Sequence, residues 1–262
     1  HYARALEVAR GQAGEDSPDV ALLLGRLGDV HYELGDFRRA ARTYLQAHRV
    51  YAGLVDATDA RRVQMQLRLA EVATARRDFR KAGGYLLRVK RSGTRDPALL
   101  AEQRMLAAEL LLARGRTKQA NRAFEGLLRQ LSKLPDAPEP EPTELKESAE
   151  ESGSPNRWLR VRAQAGHGET LLARGDAKRA ALAFKDSLEV GEKFSSTAPR
   201  GLLPRIRFGL AQSLWAQDGG DDGSRFVAIG HARKAARGYE DLRGRYLVAL
   251  VEVEAWLQSR AE

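Results

Sequence analysis

The feature that most constrains the fold is an internal repeat. The segments AELLLARGRTKQANRAFEGLL (108–128) and GETLLARGDAKRAALAFKDSL (168–188) are identical at 11 of 21 aligned positions. Equivalent small or apolar positions recur along the chain with steps of 42, 42, 38, 60 and 48 residues, at Ala5, Ala47, Val89, Leu127, Ser187 and Ala235. A sequence with such a period builds similar units in series, each packed on its neighbours.

Each copy carries two helical patterns joined by a short turn. In LGRLGDVHYELGDFRRAARTYLQA (24–47), apolar and small residues recur at helical spacing on both sides of Gly35. A glycine at that point suits the left-handed residue that commonly ends a helix. The sequence therefore predicts an all-α chain of antiparallel helix pairs.

The spacing of seven positions in this segment resembles the tetratricopeptide repeat, and these positions are Leu24, Leu27, Gly28, His31, Ala40, Tyr44 and Ala47. The 42-residue steps resemble the longer repeats of the kinesin light chain type. The resemblance implies a right-handed superhelical solenoid. Amphipathic helices in an ordinary bundle are the alternative for one copy, but four copies in register favour the solenoid.

The step of 60 residues predicts an insertion within a continuing array. We expect a partial first repeat plus three helix pairs in residues 1–131, two further pairs in 157–240 and a capping helix in 241–262. Residues 132–156 are acidic and proline-rich, and we expect them to be largely extended or disordered.

Charge is distributed unevenly along the chain. The formal net charge is +9, and residues 132–156 contribute −7 + 2 = −5, which leaves +14 for the remainder. A body this basic is compatible with an acidic protein, an anionic surface or nucleic acid. A polyanion-binding or nucleic-acid adaptor that uses Arg-rich second helices is the alternative function, although few aromatic residues lie among those arginines to stack on bases.

The resemblance implies that the first helix of each pair lines a concave groove. It places there a row of five residues, four of them acidic, here called the acidic row: Asp29, Glu71, Glu109, Glu169 and Gln212. Apolar residues flank this row, at Tyr32, Leu112, Leu172 and Trp215 one turn beyond it and at Leu67, Met105 and Phe208 one turn before it. We expect this groove to bind a peptide or protein segment, with a basic segment as the candidate. Local pairing, Arg26 with Asp29 or Arg68 with Glu71, is the other interpretation of the row.

Motifs for chemistry are missing from the sequence. It has no phosphate-binding loop, no H-E-x-x-H and no cysteine, and GGDDGS (219–224) is too short for a calcium loop. We expect a scaffold without catalytic activity, cofactor or metal. With no long apolar run and no secretory signal, we expect it in the cytoplasm and not in a membrane.

The C-terminal region predicts a helix that closes the array, with one apolar stripe of Leu247, Leu250, Val251, Trp256 and Leu257. About the last 60 residues resemble the C-terminal repeats of bacterial multidomain Ser/Thr protein kinases, in GLAQSLWAQ, AIGHARKAARGYEDL and EVEAWLQSR. That resemblance implies that the chain is the scaffold arm of a larger bacterial signalling protein.

Overall fold

The computed structural model of the chain describes residues 1–133, 155–217 and 222–260. These residues form helices and connecting turns, and no strand occurs among them. The α-helices are α1 (Tyr2–Ala13), α2 (Pro18–Glu33), α3 (Phe37–Leu54), α4 (Ala60–Ala75), α5 (Phe79–Arg91), α6 (Pro97–Ala113), α7 (Thr117–Leu131), α8 (Pro155–Leu172), α9 (Ala177–Lys193), α10 (Leu202–Trp215), α11 (Asp222–Leu242) and α12 (Leu247–Gln258). Short 3-10 turns lie at Ser195–Thr197 and Gly244–Tyr246.

Packing divides the chain into two compact units, His1–Gly115 and Arg116–Glu262. In the first unit, α2 packs on α3 and α4 on α5. In the second unit, α8 packs on α9 and α10 on α11. Each second helix also packs on the next first helix of its unit, as α3 does on α4 and α9 on α10. The predicted all-α fold of successive helix pairs is confirmed.

A left-handed residue recurs in several of the described turns between successive helices. Gly35, Gly115 and Gly175 are left-handed, with φ of 78°, 71° and 82°. Glycine adopts this conformation without a steric penalty, so the prediction for Gly35 is confirmed. In the α4–α5 turn, Arg77 holds the same place with φ of 59°.

An aspartate usually follows this left-handed residue and caps the second helix. The Asp36 carboxylate accepts a hydrogen bond from the amide of Arg39 at 3.0 Å, and Asp176 accepts one from the amide of Arg179 at 3.2 Å. These bonds satisfy amides that have no partner within the helix. The sequence G-D at the turn thus ends one helix and starts the next.

Within a pair, a glycine on the first helix admits a buried ring from the second. A Cβ added to Gly28 would lie 2.5 Å from Cε1 of Tyr44, and one added to Gly168 would lie 3.0 Å from the Phe184 ring. Both rings are almost fully buried. The small residue therefore sets how closely the two helices approach.

Helix α1 has the register of a second helix, as the sequence predicts. Its Leu6 is buried against α2, but Tyr2 is 44% exposed, whereas Tyr44, which stands at the equivalent position of α3, is 1% exposed. In α3 the equivalent position is covered by the first helix of its pair, α2, which packs against Tyr44 at Gly28.

Helix α12 packs on α11 through a stripe that differs from the predicted one. Val253 is fully buried, and Leu250, Trp256 and Leu257 pack in the same cluster. Leu247 and Val251 are exposed, so their place in the predicted stripe is wrong. Since successive helical residues turn by roughly 100°, Val251 lies about 200° around the axis from Val253.

Several sequence predictions concern residues 134–154 and 218–221, which lie outside the described residues. They include most of the acidic insertion (132–156) and part of the GGDDGS turn. The flanking helices α7 and α8 end at Leu131 and begin at Pro155.

Candidate protein-binding surface

In the first unit, two members of the predicted acidic row share one arginine. Nε of Arg68 lies 3.7 Å from Oδ1 of Asp29, and its Nη1 lies 3.2 Å from Oε2 of Glu71. Tyr44 donates a hydrogen bond from its hydroxyl to Oδ1 of Asp29 at 2.7 Å. The predicted local pair between Arg68 and Glu71 is therefore present, and Arg68 also joins the first helices of two successive repeats.

The electrostatics of this cluster favour the ion pairs. Burial alone would lower the pKa of Arg68, but the carboxylates of Glu71, Glu102 and Asp29 raise that pKa above its usual value. Burial, reinforced by the hydrogen bond to Asp29, raises the pKa of Tyr44 as well. Arg68 therefore stays charged and Tyr44 stays a proton donor.

The row differs in the second unit, where Glu169 is held by a single partner. Arg205, on the next first helix α10, donates from Nε to Oε1 at 2.5 Å and from Nη2 to Oε2 at 2.7 Å. Two parallel bonds of this kind orient a carboxylate firmly. Sequence reasoning missed Arg205 because the pairing is not repeated in the other copies.

The remaining members of the row, Glu109 and Gln212, are half-buried on α6 and α10. The row thus contains one shared arginine in the first unit and one bidentate pair in the second. It is more strongly compensated than the sequence pattern alone indicates.

Three predicted groove residues, Leu67, Met105 and Phe208, are buried in the core instead of lining an open surface. Each of them lies three residues before the small residue of its helix, which is Ala70 in α4, Ala108 in α6 and Ala211 in α10. This edge of a first helix packs against neighbouring helices: a Cβ on Gly25, at the same position in α2, would lie 3.4 Å from Cε of Met65 on α4. Leu67 clusters with residues of α6, and Phe208 clusters with residues of α11 and α12. The expected exposure of all three side chains is corrected.

The apolar positions one turn beyond the acidic row are only partly covered. Leu112 and Leu172 are half-buried. Tyr32 is buried, with its ring centroid 5.5 Å from that of Phe37. These side chains border the row but present little free area.

Trp215 lies within a cluster that the sequence did not reveal. Its ring packs edge-on against Trp256 of α12, with centroids 5.7 Å apart, and Trp256 also packs edge-on against Phe208. The guanidinium carbons of Arg225 and Arg260 lie 5.5 Å and 5.4 Å from the Trp215 ring centroid. Trp256 occurs in the predicted capping stripe, but its contact with Trp215 has no signal in the repeat pattern.

A cavity of about 120 Å³ lies beside the shared arginine, between α2 and α4. Gly25 and Met65 provide apolar lining, and Asp29, Arg68 and Arg61 provide polar lining. Arg61 is itself bound by both carboxylate oxygens of Asp59, at 3.0 Å and 2.9 Å. The cavity therefore combines a small apolar surface with a paired set of charges.

Comparison with known proteins gives these features a family context. Residues 1–52 match the family model described as tetratricopeptide repeat. The chain has a tetratricopeptide repeat fold. A comparison with curated proteins finds no similar sequence.

Solved structures agree with this tetratricopeptide fold along nearly the whole chain. A Rap protein complexed with Competence and Sporulation Factor aligns with a TM-score of 0.66 and 15% identity, over 99% of this chain and 69% of that one. BtubC (BKLC) from P. vanneervenii aligns with a TM-score of 0.61 and 17% identity, over 93% and 90%. A putative kinesin light chain of P. anserina aligns with a TM-score of 0.52 and 17% identity, over 86% and 96%. The predicted likeness to repeats of the kinesin light chain type is confirmed for the fold.

Two further features of the described residues concern membranes and metals. No helix among them combines the length and apolar character needed to cross a membrane. In the same part of the chain, no three His, Cys, Asp or Glu side chains come together as metal ligands would.

Proposed function

We propose that this chain is a non-catalytic protein-interaction scaffold that binds a peptide segment of a partner along its first helices. The tetratricopeptide fold supports this proposal, since helix repeats present extended surfaces. A Rap protein with the same fold was solved in complex with a factor, which agrees with a binding role. We place the scaffold in the cytoplasm.

The observation that carries the proposal is the partly exposed carboxylate of Asp29, which lies beside the ion pair between Arg68 and Glu71. Asp29 and Glu71 share this arginine, and Glu102 lies near enough to raise its pKa. The side chain of Asp29 is 39% exposed, so a cationic side chain of a partner can reach it.

The proposed ligand is therefore a peptide with an arginine or lysine and an adjacent small apolar side chain. The basic residue pairs with Asp29 and Glu71, and the apolar one enters the cavity beside Gly25 and Met65. Glu169 contributes less, because both of its oxygens are already bound by Arg205.

The test is a titration of labelled basic peptides against Asp29→Asn and Glu71→Gln, followed by fluorescence anisotropy. Each substitution keeps the shape of the side chain and removes its charge, so affinity should fall about two- to fivefold, as expected for partly exposed ion pairs. Glu7→Gln is the matched control, because Glu7 is an exposed carboxylate of α1 in the same unit. Equal affinity in all three variants would contradict the role of the acidic row.

The same titration with duplex DNA separates this function from the polyanion-binding alternative. A basic-peptide scaffold should prefer the peptide, whereas tighter, steeply salt-dependent binding of DNA would favour the Arg-rich second helices as the binding surface.

We also propose that the scaffold belongs to a larger bacterial signalling protein. The support is the likeness of about the last 60 residues to the C-terminal repeats of bacterial Ser/Thr protein kinases. Any phosphotransfer activity would then belong to another part of that protein, since the sequence contains none of the kinase motifs.

A further inference from the structure

A second candidate binding site lies in the second unit, away from the acidic row. It is a cavity of about 490 Å³ between the first half of α8 and the second half of α9, here called the α8–α9 cavity. Its volume is within the range of sites that hold a group of side chains or a small ligand. It belongs to neither the predicted groove nor the Trp215 cluster.

One wall of the α8–α9 cavity is cationic. The guanidinium carbon of Arg157 lies 3.7 Å from the centroid of the Phe194 ring, and Nζ of Lys193 lies 5.1 Å from the same centroid. An arginine stacked on an aromatic face keeps its N–H groups directed outward in the plane of the guanidinium. Those N–H groups match a carboxylate, which two of them can bind at once.

The lining of the cavity also carries acidic and apolar groups. Asp186 and Glu189 line the cavity from α9, and Val161 and Val190 supply apolar surface. An occupant that pairs with all of these groups needs several carboxylates, at least one basic group and an aliphatic side chain. A simple polyanion such as nucleic acid supplies negative charge but neither a basic side chain nor an aliphatic one.

One segment of this chain has that composition. Residues 134–154 contain seven acids and Lys146, a net charge of −7 + 1 = −6. Within them, Glu144, Leu145, Lys146 and Glu147 place acid, aliphatic and base side by side.

The described residues on either side of this segment lie close to residues that line the cavity. Arg160, a lining residue, donates a hydrogen bond from Nη2 to the carbonyl of Leu131 at 2.9 Å, close to where the segment leaves α7. Arg157 is two residues beyond Pro155, where the chain enters α8. The 21 residues between could extend to about 70 Å, far more than is needed to enter a cavity at their own end points.

We propose that the α8–α9 cavity is a binding site for acidic polypeptide and that residues 134–154 of the same chain bind there. Tethering at both ends raises the effective concentration of the segment to about millimolar, so that even a weak interaction is populated. The site is separate from the proposed groove. An acidic partner of similar composition would have to displace the segment.

The chain has no cysteine, so one introduced cysteine gives a unique label. A nitroxide attached to Ser148→Cys should broaden the backbone amide signals of Val190 and Lys193 in the full chain. The broadening should fall by more than half in Arg157→Gln, with unchanged helix content by circular dichroism. Ser259→Cys, at the residue that follows α12, gives the matched label position. Absence of broadening in the parent chain, or broadening that survives Arg157→Gln, overturns the proposal.

A second measurement does not depend on the label. The second variant is the 262-residue chain with its seven acids in 134–154 changed to the corresponding amides. Its vacated cavity should bind a synthetic 134–154 peptide at least fivefold more tightly than the cavity of the parent chain does. Equal affinity of the two chains overturns binding within the same chain. Because the basic-peptide titration uses the first unit, its result and this one can fail independently.

Discussion

The close approach of α2 and α3 at Gly28 gives a prediction whose sign can be worked out. An alanine Cβ there would lie 2.5 Å and 2.6 Å from two carbons of the Tyr44 ring. The ring cannot retreat easily, since it is 1% exposed and its hydroxyl is bound to Asp29 at 2.7 Å. Overpacking of this kind costs about 1 to 3 kcal/mol.

Helix propensity acts in the opposite direction. Alanine is favoured over glycine inside a helix by about 1 kcal/mol. With a buried, anchored ring the steric cost should be at the upper end, so Gly28→Ala should lower the free energy of unfolding by about 1 to 2 kcal/mol. Gly84→Ala is the control: Gly84 lies inside α5 with nothing within 4 Å of an added Cβ, so that variant should gain about 0.5 to 1 kcal/mol.

Urea denaturation followed by circular dichroism measures both variants. The second repeat also suggests a compensating change, because Ala70 and Leu86, in its core, stand where Gly28 and Tyr44 stand in the first. Combining Gly28→Ala with Tyr44→Leu should therefore cost about 1 kcal/mol less than the sum of the single changes. If Gly28→Ala is as stable as Gly84→Ala, the reasoning from the ring contact is refuted.

Three further predictions concern turns, caps and pH. Arg77→Gly should raise the free energy of unfolding by about 0.5 to 1 kcal/mol, because glycine adopts the left-handed φ of 59° without strain. Arg76→Gly, at an ordinary φ of −79°, should lower the free energy of unfolding in the same urea assay. Arg116 has the φ and ψ of the capping aspartates, but its side chain makes no cap hydrogen bond. Arg116→Asp should therefore raise the free energy of unfolding by about 1 kcal/mol, and an unchanged value would contradict a capping role for this position. Burial lowers the pKa of His48, His167 and His231, so the unfolded chain binds more protons than the folded chain around pH 6. The free energy of unfolding should therefore fall as the pH drops from about 7 to about 5, and this dependence should be weaker in His167→Gln. A free energy that does not change with pH, or an unchanged dependence in His167→Gln, would refute this.

The helix pairs could be predicted from the sequence because their determinants are local and repeated. The apolar spacing within each helix and the left-handed turn at Gly35 recur several times, so chance matches are unlikely to agree in register. Helix α1 has the register of a second helix, with Ala5 at the position that Ala47 holds in α3.

The binding surface was less predictable because its contacts join different repeats. Arg68 reaches back to Asp29, and Arg205 reaches back to Glu169, so neither contact follows from one repeat alone. The burial of Leu67 and Phe208 has the same origin, since Leu67 clusters with residues of α6 and Phe208 with residues of α12. A periodic sequence specifies the repeat well and the junctions between repeats poorly.

The tryptophans have a practical consequence. All three, Trp158, Trp215 and Trp256, belong to the unit Arg116–Glu262, and the unit His1–Gly115 contains none. Intrinsic tryptophan emission therefore follows the unfolding of one unit, while circular dichroism follows the helices of both. Superimposable transitions from the two signals would show that the units melt as a single cooperative block, and separated transitions would give each unit its own stability.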